Sequence, residues 1–246
     1  DSLVIWAYWR RCIIGIDNNF AHLICLSCKY IFYQQPIFAK IVIMKIAVLA
    51  NEESWNELVT EIDGIDFTRC EGFSDLLQNK NADACFNLLD NAADMDYSGF
   101  ENPVFINSVH TALGQIKTGK NTYRINGWHG FIKRPIWEIA GNPDSKATAV
   151  LSTLQKKLVT VPDEPGFIAA RIIAMIINEA YFAKEEQVST ENEIDIAMKL
   201  GTNYPYGPFE WGRQIGIPQI YLLLKTLSIH DKRYIPCSLM QQETEK

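Results

Sequence analysis

The chain has 246 residues, 48% of them hydrophobic and 21% charged, with a net charge of −6. That is the composition of a chain that buries a core, and it excludes disorder, collagen and coiled coil. The acidic balance argues against a nucleic-acid partner, which needs a basic face to neutralise phosphates. Six cysteines are too sparse for a disulfide scaffold, so a reduced, cytoplasmic protein is expected.

The chain opens on Asp1, and its first methionine is Met44. Residues 1–43 are rich in Trp, Tyr, Cys and Ile and carry a charge of +2, leaving −8 for the remainder. Their longest uncharged runs, 18–28 and 30–39, fall well short of the roughly 18–20 residues that cross a membrane. No clear signal-peptide cleavage site follows, and no membrane partner is expected. Cys25-Leu-Ser-Cys28 is a CxxC with no second pair or His pair to complete a zinc site, so no metal is expected. Without a clear period, this segment is expected to lie outside the functional domain, as a misassigned start or translated upstream sequence.

From Lys45 the texture changes. Residues 45–50 are a short apolar β run, 54–62 can form a helix with Ser54 as a possible cap, and 65–70 alternates like a strand. Further apolar runs follow at 82–89, 103–107 and 123–125. Strands interspersed with short helical segments predict an α/β Rossmann-like layer built on an abbreviated, mostly parallel sheet. Pro162-Asp-Glu-Pro165-Gly166 is a cluster of breakers and a natural boundary. Beyond it, 167–186 reads as a long helix with an apolar row at Ile168, Ile172, Ile176 and Ala180. Thr190 and Glu193 form a capping box for a second helix that Gly201 is expected to stop, and a third begins near Pro218. The organisation expected is a leader at 1–43, a Rossmann-like domain at 44–163 and an all-α dimerisation domain at 164–246.

Residues 162–217 carry Pro165-Gly166-Phe167-Ile168, Arg171, Asn178-Glu179-Ala180, Ile194-Asp195-Ile196-Ala197-Met198, Gly201 and Tyr204-Pro205-Tyr206-Gly207-Pro208-Phe209-Glu210 in order. This series resembles the C-terminal domain of the 3-hydroxyacyl-CoA dehydrogenases. The resemblance implies oxidation of an L-3-hydroxyacyl-CoA to the 3-ketoacyl-CoA with NAD in fatty-acid or butanoyl-CoA metabolism, and a homodimer formed through the helical domain. It also implies a His general base held by a Glu, roles that fall on His129 and Glu138. A His whose proton affinity lies near neutrality suits two-way proton transfer, and a carboxylate fixes the ring. The two are nine residues apart, a shorter spacing than the family's. Ser108 is the best match to a substrate-binding Ser, whereas an Asn that polarises the substrate carbonyl in the family is replaced by Ala170. His110 and His230 have no such context, and His22 falls in the leader.

The cofactor turn conflicts with that implication. A dinucleotide turn has the form G-x-G-x-x-G after the first strand, so that backbone can approach the pyrophosphate. Its three glycine positions hold Ala50, Glu52 and Trp55, and both charge and bulk there oppose NAD. Glu71 falls where an acid would hold the ribose. The 120 residues of 44–163 also lack room for a coenzyme-A-contacting arm between Asp63 and Ala82. Two readings follow. One is a family dehydrogenase acting on an acyl-CoA; the other is a non-catalytic dimeric relative that binds an acyl ligand or a protein partner.

Overall fold

The computed structural model describes residues 43–245 and, before them, three strands: β1 (Cys12–Asp17), β2 (Phe20–Cys25) and β3 (Ile31–Tyr33). Asp1–Ile43 forms one compact unit and Met44–Lys246 another. In the first, β1, β2 and β3 make an antiparallel sheet in which Cys12 lies opposite Cys25 and His22 opposite Tyr33. The short apolar runs of the leader, which show no clear period, include these three strands. Cys28, and with it the CxxC reading, lies outside the described residues.

The second unit is built on seven strands: β4 (Met44–Leu49), β5 (Ile65–Cys70), β6 (Ala84–Asn87), β7 (Val104–Asn107), β8 (Thr122–Ile125), β9 (Ile136–Ala140) and β10 (Lys157–Thr160). Their order across the sheet is β10-β9-β8-β7-β6-β4-β5. Every pairing is parallel except β8 with β9. Ile46, Ala47, Val48 and Leu49 are all buried, as a central parallel strand covered on both faces requires. Helices α1 (Glu52–Leu58) and α3 (Ser145–Thr153) lend Leu58, Ala147, Val150 and Leu151 to the core on one face. Leu76 of α2 (Phe73–Gln78) joins Tyr97 and Phe100 on the other. Strand β5 and α2 occupy the stretch where a long arm had no room.

The helical part comprises α4 (Ile168–Glu185), α5 (Glu191–Thr202), α6 (Pro208–Ile215), α7 (Ile217–Ser228) and α8 (Ser238–Thr244). The capping box at Thr190 and Glu193 forms as read. Gly201 does not stop α5: the helix continues to Thr202, and Asn203 takes the left-handed conformation that ends it. Of the apolar row expected on α4, Ala180 is buried but the N-terminal part is displaced. Ile168 and Ile172 are more than half exposed, and the buried face runs through Ala170, Ile173, Ala174, Ile177 and Tyr181. Apolar residues extend around much of α4, so sequence spacing alone could not select the face that packs on α6, α7 and α8. The family motifs prove to be structural ties. Asn178 donates to Ile235 O at 2.9 Å and accepts from Cys237 N at 2.8 Å, pinning the C-terminal segment to α4. At Gly166, φ is +79°, and its N–H donates to Val109 O at 2.6 Å, joining the boundary segment to the sheet.

The helical core continues onto Val109, Trp128, Phe131 and Ala140 of the sheet half. The segments following β4, β6, β7 and β8 share the carboxyl edge of the parallel strands, where open α/β sheets place ligands.

Candidate functional site

The first segment at that edge leads from β4 into α1. Asn51 is the cap: its Oδ1 accepts from Ser54 N at 2.8 Å. Ser54, expected as a possible cap, is instead a buried residue of the first turn. Glu52 pairs with Arg69 at 2.7 Å, and that guanidinium lies 5.2 Å from the Trp55 ring centre. Glu53 and Glu57 face the loop after β8. Glu57 Oε1 accepts from Gly130 N at 2.6 Å, and its side chain is only 8% exposed. Asn51 thus caps the Ser54 N–H, and Glu52 and Glu53 place two carboxylates in the first turn of α1. Pyrophosphate needs free N–H groups, positive potential and close backbone approach. The residues present do not fit NAD. Glu71 follows β5 directly, with its side chain exposed and its backbone N–H donating to Asp75 at 3.1 Å.

His129 is one-third exposed and places Nδ1 3.1 Å from Glu57 Oε1 and 3.6 Å from Glu53 Oε2, but not aligned for a hydrogen bond. Glu138 turns elsewhere. Its two oxygens accept from Ala169 N at 3.1 and 3.3 Å, so its carboxylate caps α4, whose N-cap residue Phe167 has no capping side chain. No ion pair joins His129 to Glu138. The reason is topological: Ile125 lies opposite Ile139, so the β8–β9 hairpin carries Glu138 towards the helical half while the shortened loop carries His129 to α1. Ser108 is likewise engaged, donating from Oγ to Thr111 O at 2.7 Å, and Ala170 is fully buried among apolar residues.

Burial pushes the Glu138 carboxyl above its ordinary range, opposed by the Ala169 and Ile168 N–H groups, Arg134 and Asn126. A raised folded value means that the native state takes up the proton more readily than the unfolded chain. The Glu138 contribution to stability therefore grows as pH falls through the raised value and levels off below the unfolded value of about 4.3. The Tm of the protein minus that of Glu138→Gln is expected to be larger at acid pH than at neutral pH. A constant or reversed difference in thermal unfolding contradicts this assignment.

Four residues of this region were not singled out by the sequence. Glu57 and Arg124 act through contacts distant in the chain. Arg124 is fully buried: Nε donates to Ser108 O at 2.8 Å, and one terminal nitrogen lies 2.5 Å from Asp163 Oδ1. Asn126 and Arg134 line a cavity of ≈ 400 Å³ between the β8–β9 loop and the start of α4, walled by Phe131, Ile136, Trp137, Val159 and Ile168, with Glu138 beside them. The visible signal for Asn126 was a polar residue at the end of a buried strand, between Ile125 and Gly127. Elsewhere at the edge, burial and Arg124 hold His110 below its ordinary range against Asp94 and Asp90. Burial pushes the free thiols of Cys70 and Cys85 up to about 11 and about 12. Among the described residues no helix is long and apolar enough to cross a membrane.

Comparison with known proteins agrees with this architecture. Residues 166–246 match the family described as 3-hydroxyacyl-CoA dehydrogenase, C-terminal domain. Over 108 residues the chain is 46% identical to the 3-hydroxyadipyl-CoA dehydrogenase of Escherichia coli (strain K12), a match covering 42% of this chain and 23% of that protein. Over 130 residues it is 32% identical to the probable 3-hydroxybutyryl-CoA dehydrogenase of Bacillus subtilis (strain 168), covering 48% and 45%. The matched stretch spans less than half the length of either relative. In fold, the chain resembles the crystal structure of (S)-3-hydroxybutyryl-CoA dehydrogenase PaaH1 from Ralstonia eutropha, with a TM-score of 0.61, 18% identity and coverage of 82% of this chain and 94% of that one. M. tuberculosis FadB2 gives a TM-score of 0.63 at 14% identity, covering 83% and 94%. The fold is thus the two-part architecture of these dehydrogenases, and residues 166–246 form a 3-hydroxyacyl-CoA dehydrogenase C-terminal domain.

Proposed function

We propose that this protein is a 3-hydroxyacyl-CoA dehydrogenase-family member that binds an acyl-type ligand between its sheet and helical halves and does not turn over NAD. The observation that carries the reading is the start of α1, capped by Asn51 with Glu52 and Glu53 in its first turn. The separation of His129 from Glu138 supports it further, because the base lacks the carboxylate that the family pattern assigns to it.

The dehydrogenase reading keeps one specific observation in its favour: His129 retains a carboxylate neighbour in Glu57, 3.1 Å away. The deciding assay is oxidation of NADH by the purified protein with acetoacetyl-CoA. The expected result is no turnover above background. Turnover that is abolished in His129→Ala supports the dehydrogenase reading and removes the first. We also infer a cytoplasmic homodimer joined through the helical half, where Ile168, Ile172 and Leu200 are exposed. Light scattering on the eluting protein would give twice the chain mass.

A further inference from the structure

Strand β5 ends the sheet: among the described residues it pairs with β4 and with no strand on its other side. Met44 lies opposite Ile65, and its N–H donates to Gly64 O at 2.8 Å. In a parallel ladder each residue turns its N–H and C=O to one side, and successive residues turn them to opposite sides. Gly64, Asp66 and Thr68 therefore face β4, while Phe67 and Arg69 present both groups outward. Such a row of outward N–H and C=O groups is a template for a further strand.

The charge around this edge selects the strand that fits. Residues 51–75 hold eight acids and one base, so −7 of the −8 carried by residues 44–246 is gathered here. Glu61, Asp63, Asp66 and Glu71 are exposed, on the strand or just beyond its ends. The base, Arg69, is already paired with Glu52 at 2.7 Å and lies over the Trp55 ring. The two faces of the edge also differ. On the α1 side Ile65, Phe67 and Trp55 are only partly buried and leave an apolar shelf. On the α2 side Asp66 and Thr68 are exposed. A strand alternating basic and apolar residues would set cations beside Asp66 and apolar side chains on the shelf. The opposite edge of the sheet is unlike this one: β10 opens on exposed Lys157, a residue type that sheet edges use against strand addition.

We infer that the β5 edge is a docking strand for an extended basic segment of a partner protein, which adds to the sheet as an eighth strand. Main-chain hydrogen bonds to Phe67 and Arg69 fix its register, and the surrounding carboxylates select its charge.

The test is a titration of ¹⁵N-labelled full-length protein with the end-capped peptide Lys-Val-Lys-Val-Lys-Val-Lys. One control, Glu-Val-Glu-Val-Glu-Val-Glu, keeps the alternation and reverses the charge. The other, Lys-Val-Lys-Pro-Lys-Val-Lys, keeps the sign of the charge and breaks the strand. The basic peptide is expected to slow hydrogen exchange at the Phe67 and Arg69 amides and to leave Leu158 of β10 unchanged. It should bind about tenfold tighter than either control, the scale of a few exposed charge contacts or of one or two hydrogen bonds. Asp66→Lys combined with Glu71→Lys changes only exposed side chains and should remove the preference for the basic peptide. The wild-type comparison alone is decisive if that variant fails to fold. Equal binding of either control, protection away from β5, or no binding at all overturns the proposal. Protection of the Phe67 and Arg69 amides before peptide is added overturns it too. If that protection falls on dilution, a second copy covers the edge; if it persists, the chain's own residues do. No outcome depends on NAD or on an acyl ligand.

Discussion

Arg124→Leu is expected to cost about 2–4 kcal/mol of stability, the scale of removing a buried guanidinium and stranding the carbonyls it serves. The side chain projects from β8 into a site with no exposed surface, where its donors are shared among Ser108 O, Val109 O, Glu164 O and the Asp163 carboxylate. These acceptors belong to the β7 exit and to the boundary segment ahead of α4. Arg124 therefore joins the sheet to the first long helix, and the Phe167 ring lies 5.2 Å from its guanidinium. Leucine fills similar space but takes the donors from Ser108 O and Glu164 O, and each buried orphan carries its own cost. For a chain of this size, 1 kcal/mol moves Tm by about 2–4 °C, so a fall of about 10 °C is expected in a thermal melt. A fall of a degree or two would show that Arg124 is not the tie between the halves.

Gly207→Ala is expected to be nearly as severe, although it adds only one methyl group. A Cβ at that position would come within 2.4 Å of the Asp195 Cβ and Cγ atoms. Asp195 cannot retreat cheaply, because it accepts from Phe209 N at 2.8 Å and Glu210 N at 3.1 Å. Those two N–H groups open α6, and Glu210 in turn accepts from Gly207 N at 3.0 Å. Moving Asp195 strands buried donors, and leaving it in place overpacks the turn. Either route costs about 2–3 kcal/mol, or a Tm loss of about 4–12 °C. The measurement is again thermal unfolding, with Gly201→Ala as the control, since a Cβ at Gly201 meets nothing within 4 Å. Equal effects at the two positions would contradict the account of the turn.

These two sites show what could be read from the chain and what could not. Gly207, Asp195, Asn178 and the Thr190–Glu193 box were legible because each belongs to a compact motif whose residues lie close in sequence or recur in a known order. The β4 and β5 strands were legible for a similar local reason, an uninterrupted apolar run and an alternating one. Arg124 meets Asp163 across 39 positions and Glu57 meets Gly130 across 73, and no local pattern marks such pairings. The same limit separated His129 from Glu138. Their spacing is shorter than the family's, and the fold sends them to different helices, Glu138 to the start of α4 and His129 to Glu57 of α1. Strands β9 and β10 also went unread. Both lie at one end of the sheet with partly exposed faces, where the apolar signal of a covered strand fades.

The central claim is that the start of α1, capped by Asn51 and carrying Glu52 and Glu53 in its first turn, does not accept pyrophosphate. Direct titration with NADH tests it most closely, because Trp55 lies in the first two turns of α1 and would transfer its excitation efficiently to a nicotinamide bound there. The account predicts no saturable transfer from tryptophan to NADH. A saturable transfer signal that NAD displaces would contradict it.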